Sequence, residues 1–405
     1  MGTPESEVTV FLRNGGRLLL ERTPNGFDGL RAAVSGTVHE TAATIADEVF
    51  QETGGHTITQ QGDPVTHGDA RVYPILLDVY GRDRSSTTDR YEWRHATALL
   101  GESGRRGAWE AYQEVAPNVT DIIEDCEHGS TTLSLRALEV LRDRAATGTS
   151  WTELTSMAQR LIDERGDLTA LVTRVDRTMA RAANGSDDTS LDHAAREEID
   201  AAVRSDEAAA AKAAAYCTDR TVLTLSQSGT VQAALSQANP TTVILLESRP
   251  QCEAIPVAET LAAEGMDVSL NLDAAAGDVL CRQEVDVVLV GADTVHPNGD
   301  VRNKVGTRTL AMAANQADIP VIAATSSDKI AMGPTPEAWI DGGDVYDGPH
   351  DIDTNCRRFD RTSPELITEL VTELGPVTPD VTIWIAAERR TDRIWRERPE
   401  RLQSV

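Results

Sequence analysis

A chain of 405 residues should divide into two or more domains, and 40% hydrophobic content supplies cores without any run approaching the ~20 apolar residues of a membrane span. The net charge of −27 and the scarcity of lysine argue against a nucleic-acid-binding surface, which would want a basic patch. Three of the 38 basic residues are lysine (Lys212, Lys304 and Lys329), and this acidic, arginine-biased composition suits a halophilic protein, because molar salt screens self-repulsion. The five cysteines, Cys126, Cys217, Cys252, Cys281 and Cys356, lack metal-ligand spacing and fit reduced thiols in a cytoplasm. The polar first residues show no secretory leader pattern.

Strand-like runs over residues 8–12 and 17–21 flank Asn14-Gly15-Gly16 and predict a β-hairpin. Further strands are expected over residues 32–38 and 72–79, with a helix over residues 41–51 stopped by Gly54-Gly55. Strands around one helix predict a small α/β domain over residues 1–125. Within it, GTVHETAATIADEVFQETGG, residues 36–55, resembles the Nudix box, whose helix carries R-E-U-x-E-E-x-G-U with U a bulky aliphatic residue. Glu48, Val49, Glu52 and Gly54 fit that pattern. Asp47 stands at the arginine position, Gln51 replaces the first glutamate of the pair, and Gly55 takes the last aliphatic position. In Nudix hydrolases such helix carboxylates gather Mg²⁺ around a pyrophosphate. The resemblance therefore implies Glu48 and Glu52, four apart on one face, as metal ligands. With one carboxylate replaced by an amide, a degenerate Nudix domain is the expectation over an active diphosphate hydrolase.

Composition changes near residue 126. Helical spacing covers residues 130–146, with Ser130 as N-cap, then residues 151–164, 168–183 and 190–216, with a loop at Asn184-Gly185-Ser186-Asp187-Asp188. These helices predict a helical subdomain over residues 126–216, suited to packing or dimerisation. From Arg220 strands and helices alternate, with strands over residues 221–225, 242–247, 267–272, 286–290 and 320–324. That alternation predicts a doubly wound, Rossmann-like parallel sheet over residues 217–405. Each strand runs out into polar residues: Ser226-Gln227-Ser228-Gly229, Glu247-Ser248-Arg249-Pro250, Asp273, Asp293 and Thr325-Ser326-Ser327. Ligands of open α/β sheets bind at such carboxyl ends.

The stretch over residues 287–325 concentrates this chemistry. An apolar run, Val287–Val290, breaks at Gly291-Ala292-Asp293 and delivers a carboxylate at a strand tip. A polar loop holds His296 and Asp300, after which Asn303-Lys304 is expected to open a helix to about Gln316. A cation at a helix start suits a phosphate. The phosphate candidates are Lys304, Arg249, and Ser228 with Gly229 at another helix start; Asn303 suits a sugar hydroxyl. Arg249 has an alternative as an ion-pair partner of Glu247, Asp293 as a turn cap, and Asp273 as a turn former.

Together TLSQSGTV, LLESRP, VGADTVHPNGDVRNKVGT and RFDRTSPELIT resemble the family of initiation factor 2B alpha, beta and delta subunits. That family includes isomerases of methylthioribose-1-phosphate and ribose-1,5-bisphosphate. The resemblance covers roughly residues 130 to 380. It implies a catalytic aspartate at Asp293 and a cysteine after the first sheet strand, where this chain has Ser226. A thiol with a pKa of about 8.5 exchanges protons near neutrality, whereas an alcohol needs a neighbouring base.

The expected function is a regulatory, homo-oligomeric protein of that family binding a phosphorylated sugar or nucleotide, with a translation factor as a conceivable partner. The alternative is an aldose-1-phosphate to ketose isomerase using Asp293, with Ser226 in place of the cysteine. A Nudix-type diphosphate hydrolase is the second alternative. The C-terminal region calls for no cofactor; Mg²⁺ belongs only to the Nudix resemblance.

Overall fold

The computed structural model describes residues 6–24, 26–50, 56–67, 70–79, 88–101, 107–184, 190–282 and 284–397. The chain divides into two compact units. One takes Met1–Glu124, Leu135–Leu154 and Asp187–Asp200; the other takes Asp125–Ser134, Thr155–Ser186 and Ala201–Val405.

In the first unit, β1 (Ser6–Asn14) and β2 (Arg17–Thr23) pair antiparallel across Gly15-Gly16, both at positive φ, the hairpin expected of that dipeptide. They share a mixed sheet with β3 (Gly26–Asp28), β4 (Leu30–Ala33), β5 (His56–Gln61), β6 (Val65–His67), β7 (Ala70–Val79) and β8 (Tyr91–Arg94). Strand β1 runs parallel to β7, and its alternation sends Val8, Val10 and Leu12 to one face and Phe11 to the other. Helix α1 (Val38–Phe50) covers the first face with Ala42, Ile45 and Ala46, and α2 (Ala108–Gln113) covers the second. The short α3 (Val119–Glu124) follows.

The strand expected over residues 32–38 ends early. Thr37 and Glu40 form a reciprocal capping box, with Thr37 N–H donating to Glu40 Oε2 at 2.8 Å and Glu40 N–H to Thr37 Oγ1 at 3.1 Å, so the helix starts at Val38. The two helix carboxylates implied as metal ligands are not both described. Glu40 is committed to the cap, Glu48 projects to solvent, and Glu52 and the Gly54-Gly55 stop lie outside the described residues. Among the described residues no His, Cys, Asp and Glu side chains group as a metal site.

Helices α4 (Ser130–Ala146), α5 (Trp151–Glu164), α6 (Thr169–Asn184) and α7 (Leu191–Ala214) follow, close to the expected spans. None of the described helices is long and apolar enough to cross a membrane.

The second unit holds the doubly wound sheet. Its strands are β9 (Thr221–Leu225), β10 (Thr242–Leu246), β11 (Val268–Asn271), β12 (Val287–Val290), β15 (Val321–Ala324), β17 (Glu369–Thr372) and β18 (Gly375–Val377), in the order β11-β10-β9-β12-β15-β17-β18. All adjacent pairs are parallel except β17 with β18. A small antiparallel sheet of β13 (Thr294–Val295), β14 (Val301–Lys304) and β16 (Phe359–Thr362) stands beside it. Helices α8 (Gly229–Ala238), α9 (Ala254–Ala263), α10 (Ala276–Arg282), α11 (Thr307–Gln316), α12 (Gly342–Val345), α13 (Pro379–Glu388) and α14 (Ile394–Glu397) complete the unit. Strand alternation sorts the core. Leu223, Leu225, Ile244, Leu246, Val288 and Val290 meet α10, α11 and α13 on one face. Val222, Val243, Leu245, Val287 and Leu289 meet α8, α9 and the end of α7 on the other.

A buried charge cluster ties α6 to the turn after β15. The fully buried Arg174 donates from Nε to Asp328 at 2.9 Å, from Nη1 to Ser134 Oγ at 2.8 Å, and from Nη2 to Asp206 at 2.9 Å. Burial alone would raise the Asp328 pKa, but Arg177, Arg174 and Arg389 hold it well below the usual carboxylate range. A carboxylate depressed in the folded state stabilises above its unfolded pKa of about 3.9, and that contribution is lost as pH falls. Arg174→Ala would leave Asp328 and Asp206 short of a partner, and should cost about 3–5 kcal/mol in urea unfolding at neutral pH, with the deficit shrinking toward acid pH. A loss under about 1 kcal/mol, the level of an exposed pair, would show that the cluster is not structural.

Candidate active site at the strand-order reversal

Strand β9 lies between β10 and β12, so the chain builds outward from β9 in one direction and then, from β12, in the other. At such a reversal the loops after the two central strands diverge and open a crevice at the carboxyl edge. The loop after β9 holds Ser226 and Ser228; the loop after β12 holds Gly291 and Asp293. The two loops touch closely. A Cβ on Gly291 would sit 2.6 Å from Ser228 Oγ, so only glycine fits there. Ser228 is the N-cap of α8, its Oγ accepting the Val231 N–H.

Ser226 adopts φ +64°, a left-handed conformation uncommon for a residue with a side chain. Its buried Oγ donates to Glu253 Oε2 at 2.6 Å. Glu253 Oε1 accepts from Lys304 Nζ at 2.9 Å, and the same ammonium donates to Gln251 Oε1 at 2.9 Å. Lys304 is 3% exposed, which for a lysine requires such a carboxylate partner. The loop bearing Gln251 and Glu253 is itself sharply bent, with Ser248 and Cys252 at positive φ. Asp273 holds that bend by accepting the backbone N–H groups of Ser248 at 2.8 Å and Arg249 at 2.7 Å. Three of the six non-glycine residues at positive φ among the described residues thus lie on two neighbouring rim loops, a concentration typical of functional sites.

Asp293 follows β12, its backbone N–H donating to the Arg302 carbonyl at 2.9 Å. Burial raises its carboxyl above the ordinary aspartate range; Lys329, Arg302 and Arg358 oppose that rise, and the Glu253 carboxylate adds to it. Lys329, 7% exposed on the turn fixed by the Asp328 cluster, is shifted the opposite way: burial lowers its ammonium pKa, and Asp293 and Asp206 oppose the shift. The rim thus combines a protonation-prone carboxyl, two enclosed lysines and a hydroxyl already bonded to a carboxylate.

The initiation factor 2 subunit family (IF-2B) matches residues 126–379, well over half of the chain. The chain belongs to that family. It is 29% identical to methylthioribose-1-phosphate isomerase of Anaeromyxobacter dehalogenans (strain 2CP-C) over 354 residues, covering 82% of this chain and 98% of that protein. With the isomerase of Fervidobacterium nodosum it shares 32% identity over 163 residues, 37% of this chain and 47% of that one; against several such relatives this chain spans about half of their length. In fold it resembles translation initiation factor eIF-2B of Pyrococcus horikoshii OT3, with a TM-score of 0.53 and 23% identity over 65% of this chain and 97% of that one. The IF-2B match starts at residue 126 and lends no support to the Nudix resemblance upstream.

For this IF-2B member, the structure gathers Ser226, Ser228, Gly229, Asp293, Asn303 and Lys304 at one edge. It corrects how two of them arrive there. Asn303 and Lys304 end strand β14, paired with Asp360 and Phe359 of β16, and the helix begins only at Thr307 after Gly306 at φ +107°. Lys304 is therefore not a helix-start cation; a β-arch carries it to Glu253. Asn303 is buried and donates to Thr307 Oγ1 at 3.0 Å. Arg249 is exposed on the bent loop, and Asp273 acts as that loop's clamp. His296 is buried, and enclosure together with the nearby Arg361 and Arg302 lowers its pKa to about 4, so it is neutral at physiological pH. Sequence reading passed over Glu253, Gln251 and Lys329. Lys329 carried a signal, being one of three lysines and lying just beyond a strand's polar tip. Glu253 carried none, because its proximity to Ser226 is created by the bend at Ser248–Cys252.

The opposed shifts of Asp293 and Lys329 give a direct test. Lys329→Met removes a positive charge that restrains the Asp293 pKa, so the Asp293 carboxyl should titrate at still higher pH when followed by ¹³C NMR of labelled aspartate. An unchanged or lowered value would mean the two side chains do not face each other.

Proposed function

We propose that this rim isomerises a sugar aldose 1-phosphate to the ketose 1-phosphate, with a pentose phosphate of the methylthioribose-1-phosphate or ribose-1,5-bisphosphate kind as substrate. The observation that carries the reading is Asp293: a carboxyl at the strand-order reversal whose pKa is raised by burial, with the charge of the buried Lys329 opposing that rise. The relatives named methylthioribose-1-phosphate isomerase support the same class. A phosphate on C1 prevents spontaneous ring opening, so an acid must protonate the ring oxygen as the C1–O bond breaks, and hydrogen must move from C2 to C1. Asp293, whose pKa burial raises above the ordinary aspartate range, supplies that acid more readily than a solvent-exposed aspartate would. Lys329 and the N-terminus of α8 at Ser228-Gly229 supply positive potential for the phosphate, as does Arg249, exposed on the loop after β10. Asn303 orients a hydroxyl. The protein acts as a homo-oligomer in this reading.

A regulatory sugar-phosphate or nucleotide binder is the second reading, favoured by Ser226 at the position where the family resemblance implies a cysteine. One assay separates the two. Purified protein in molar KCl should convert methylthioribose-1-phosphate or ribose-1,5-bisphosphate to its ketose, and Asp293→Asn should reduce kcat/KM by about 10²-fold or more. Because the acid is needed protonated, wild-type kcat/KM should fall as pH rises through the raised Asp293 pKa. Saturable binding without turnover, in protein shown to be folded, would establish the binder instead.

A further inference from the structure

A serine at the expected cysteine position leaves a chemical gap, since an isolated alcohol is far too weak an acid to exchange a proton with substrate at neutral pH. The structure closes that gap within two bonds. Ser226 Oγ donates to Glu253 Oε2 at 2.6 Å, and Glu253 Oε1 is held by Lys304 Nζ at 2.9 Å. Lys304 is in turn fixed by Gln251. Glu253 immediately precedes the ten-residue helix α9, yet its carboxylate makes no capping bond there and turns to Ser226 and Lys304 instead. The bend that brings it round, through left-handed Ser248 and Cys252, is matched by the left-handed Ser226 it meets. Glu253 also lies close enough to Asp293 to raise the Asp293 pKa, which puts the acid and the serine–glutamate pair at one site.

We infer that Ser226, Glu253 and Lys304 form a proton relay that replaces a thiol: Ser226 faces the substrate, Glu253 receives the proton through it, and Lys304 holds the Glu253 carboxylate in place. This inference rests on the isomerase reading of the rim. In the forward direction Ser226 Oγ takes the proton from C2 while its own proton passes to Glu253 Oε2. The C2–H electron pair becomes the C1=C2 bond, the C1–ring-oxygen bond breaks, and its electron pair takes a proton from Asp293. The enol then takes a proton at C1 from Ser226, which is reprotonated by Glu253, and O2–H returns its proton to the Asp293 carboxylate as the C2 carbonyl forms. Both groups end as they began, with no other reactant consumed. Asp293 and Ser226 touch the substrate; Glu253 is a positioning and proton-holding residue acting through Ser226.

A double-mutant cycle tests the relay. In the wild-type background Glu253→Gln, which keeps the shape and an acceptor for Lys304, should reduce kcat by about 10²-fold or more. In a Ser226→Cys background, where the thiol ionises unaided, the same Glu253→Gln change should cost less than about threefold. Equal losses in both backgrounds would overturn the relay and leave Glu253 as scaffolding for Lys304, with the isomerase reading intact. Absence of turnover in the wild type on both sugar phosphates would remove the isomerase reading and the relay together, an outcome distinct from equal losses.

Discussion

The reversal of strand order between β9 and β12 is the constraint on which the site depends. Parallel strands with right-handed crossovers leave a crevice only where successive helices depart to opposite faces, and that happens once in this sheet. Everything reactive is delivered there by strand ends: Ser226 from β9, the Gln251–Glu253 loop from β10, Asp293 from β12, Lys329 from β15. The approach of Gly291 to Ser228 shows how little room separates the central loops. A methyl group at residue 291 would displace the cap of α8 and, with it, the serine loop.

Charge in this unit is arranged as two clusters with different work. Around Asp328, three arginines keep a carboxylate fully ionised and thereby immobilise the turn that presents Lys329. Around Asp293, the cations stand off, so burial dominates and the carboxyl is pushed toward its neutral form. The same residue type is thus made permanently anionic in one place and protonatable in another. The difference lies in whether guanidinium groups bond the oxygens or only face them.

Much of this was legible in the amino-acid sequence, and the failures have definite causes. Apolar runs placed β9, β10, β12 and β15 within a residue or two, because buried parallel strands admit little but aliphatic residues; the edge strand β11, only partly buried, also fell within a residue of its expected ends. Their polar ends marked the rim. The pattern misled at Asn303-Lys304, where a short run before a genuine helix was absorbed into it. Gly306 breaks the two apart, and the partner that makes residues 301–304 a strand lies more than fifty residues further on. Glu253 was invisible for a related reason. Its role depends on a loop conformation set by Asp273 from a third strand, and no local periodicity encodes a bond between loops of different strands.

The pairing of β14 with β16 also sets an order of events during synthesis. Strands β9, β10, β12 and β15 and the loops between them can emerge and pack early, but Lys304 sits on a strand whose outer neighbour is Phe359–Thr362. Until those residues leave the ribosome, β14 has only the two-residue β13 to hold it, and the lysine that anchors Glu253 has no fixed position. The position of Lys304 therefore depends on residues far down the chain, and a polypeptide ending before residue 359 would lack the strand that pairs with β14 and fixes that lysine.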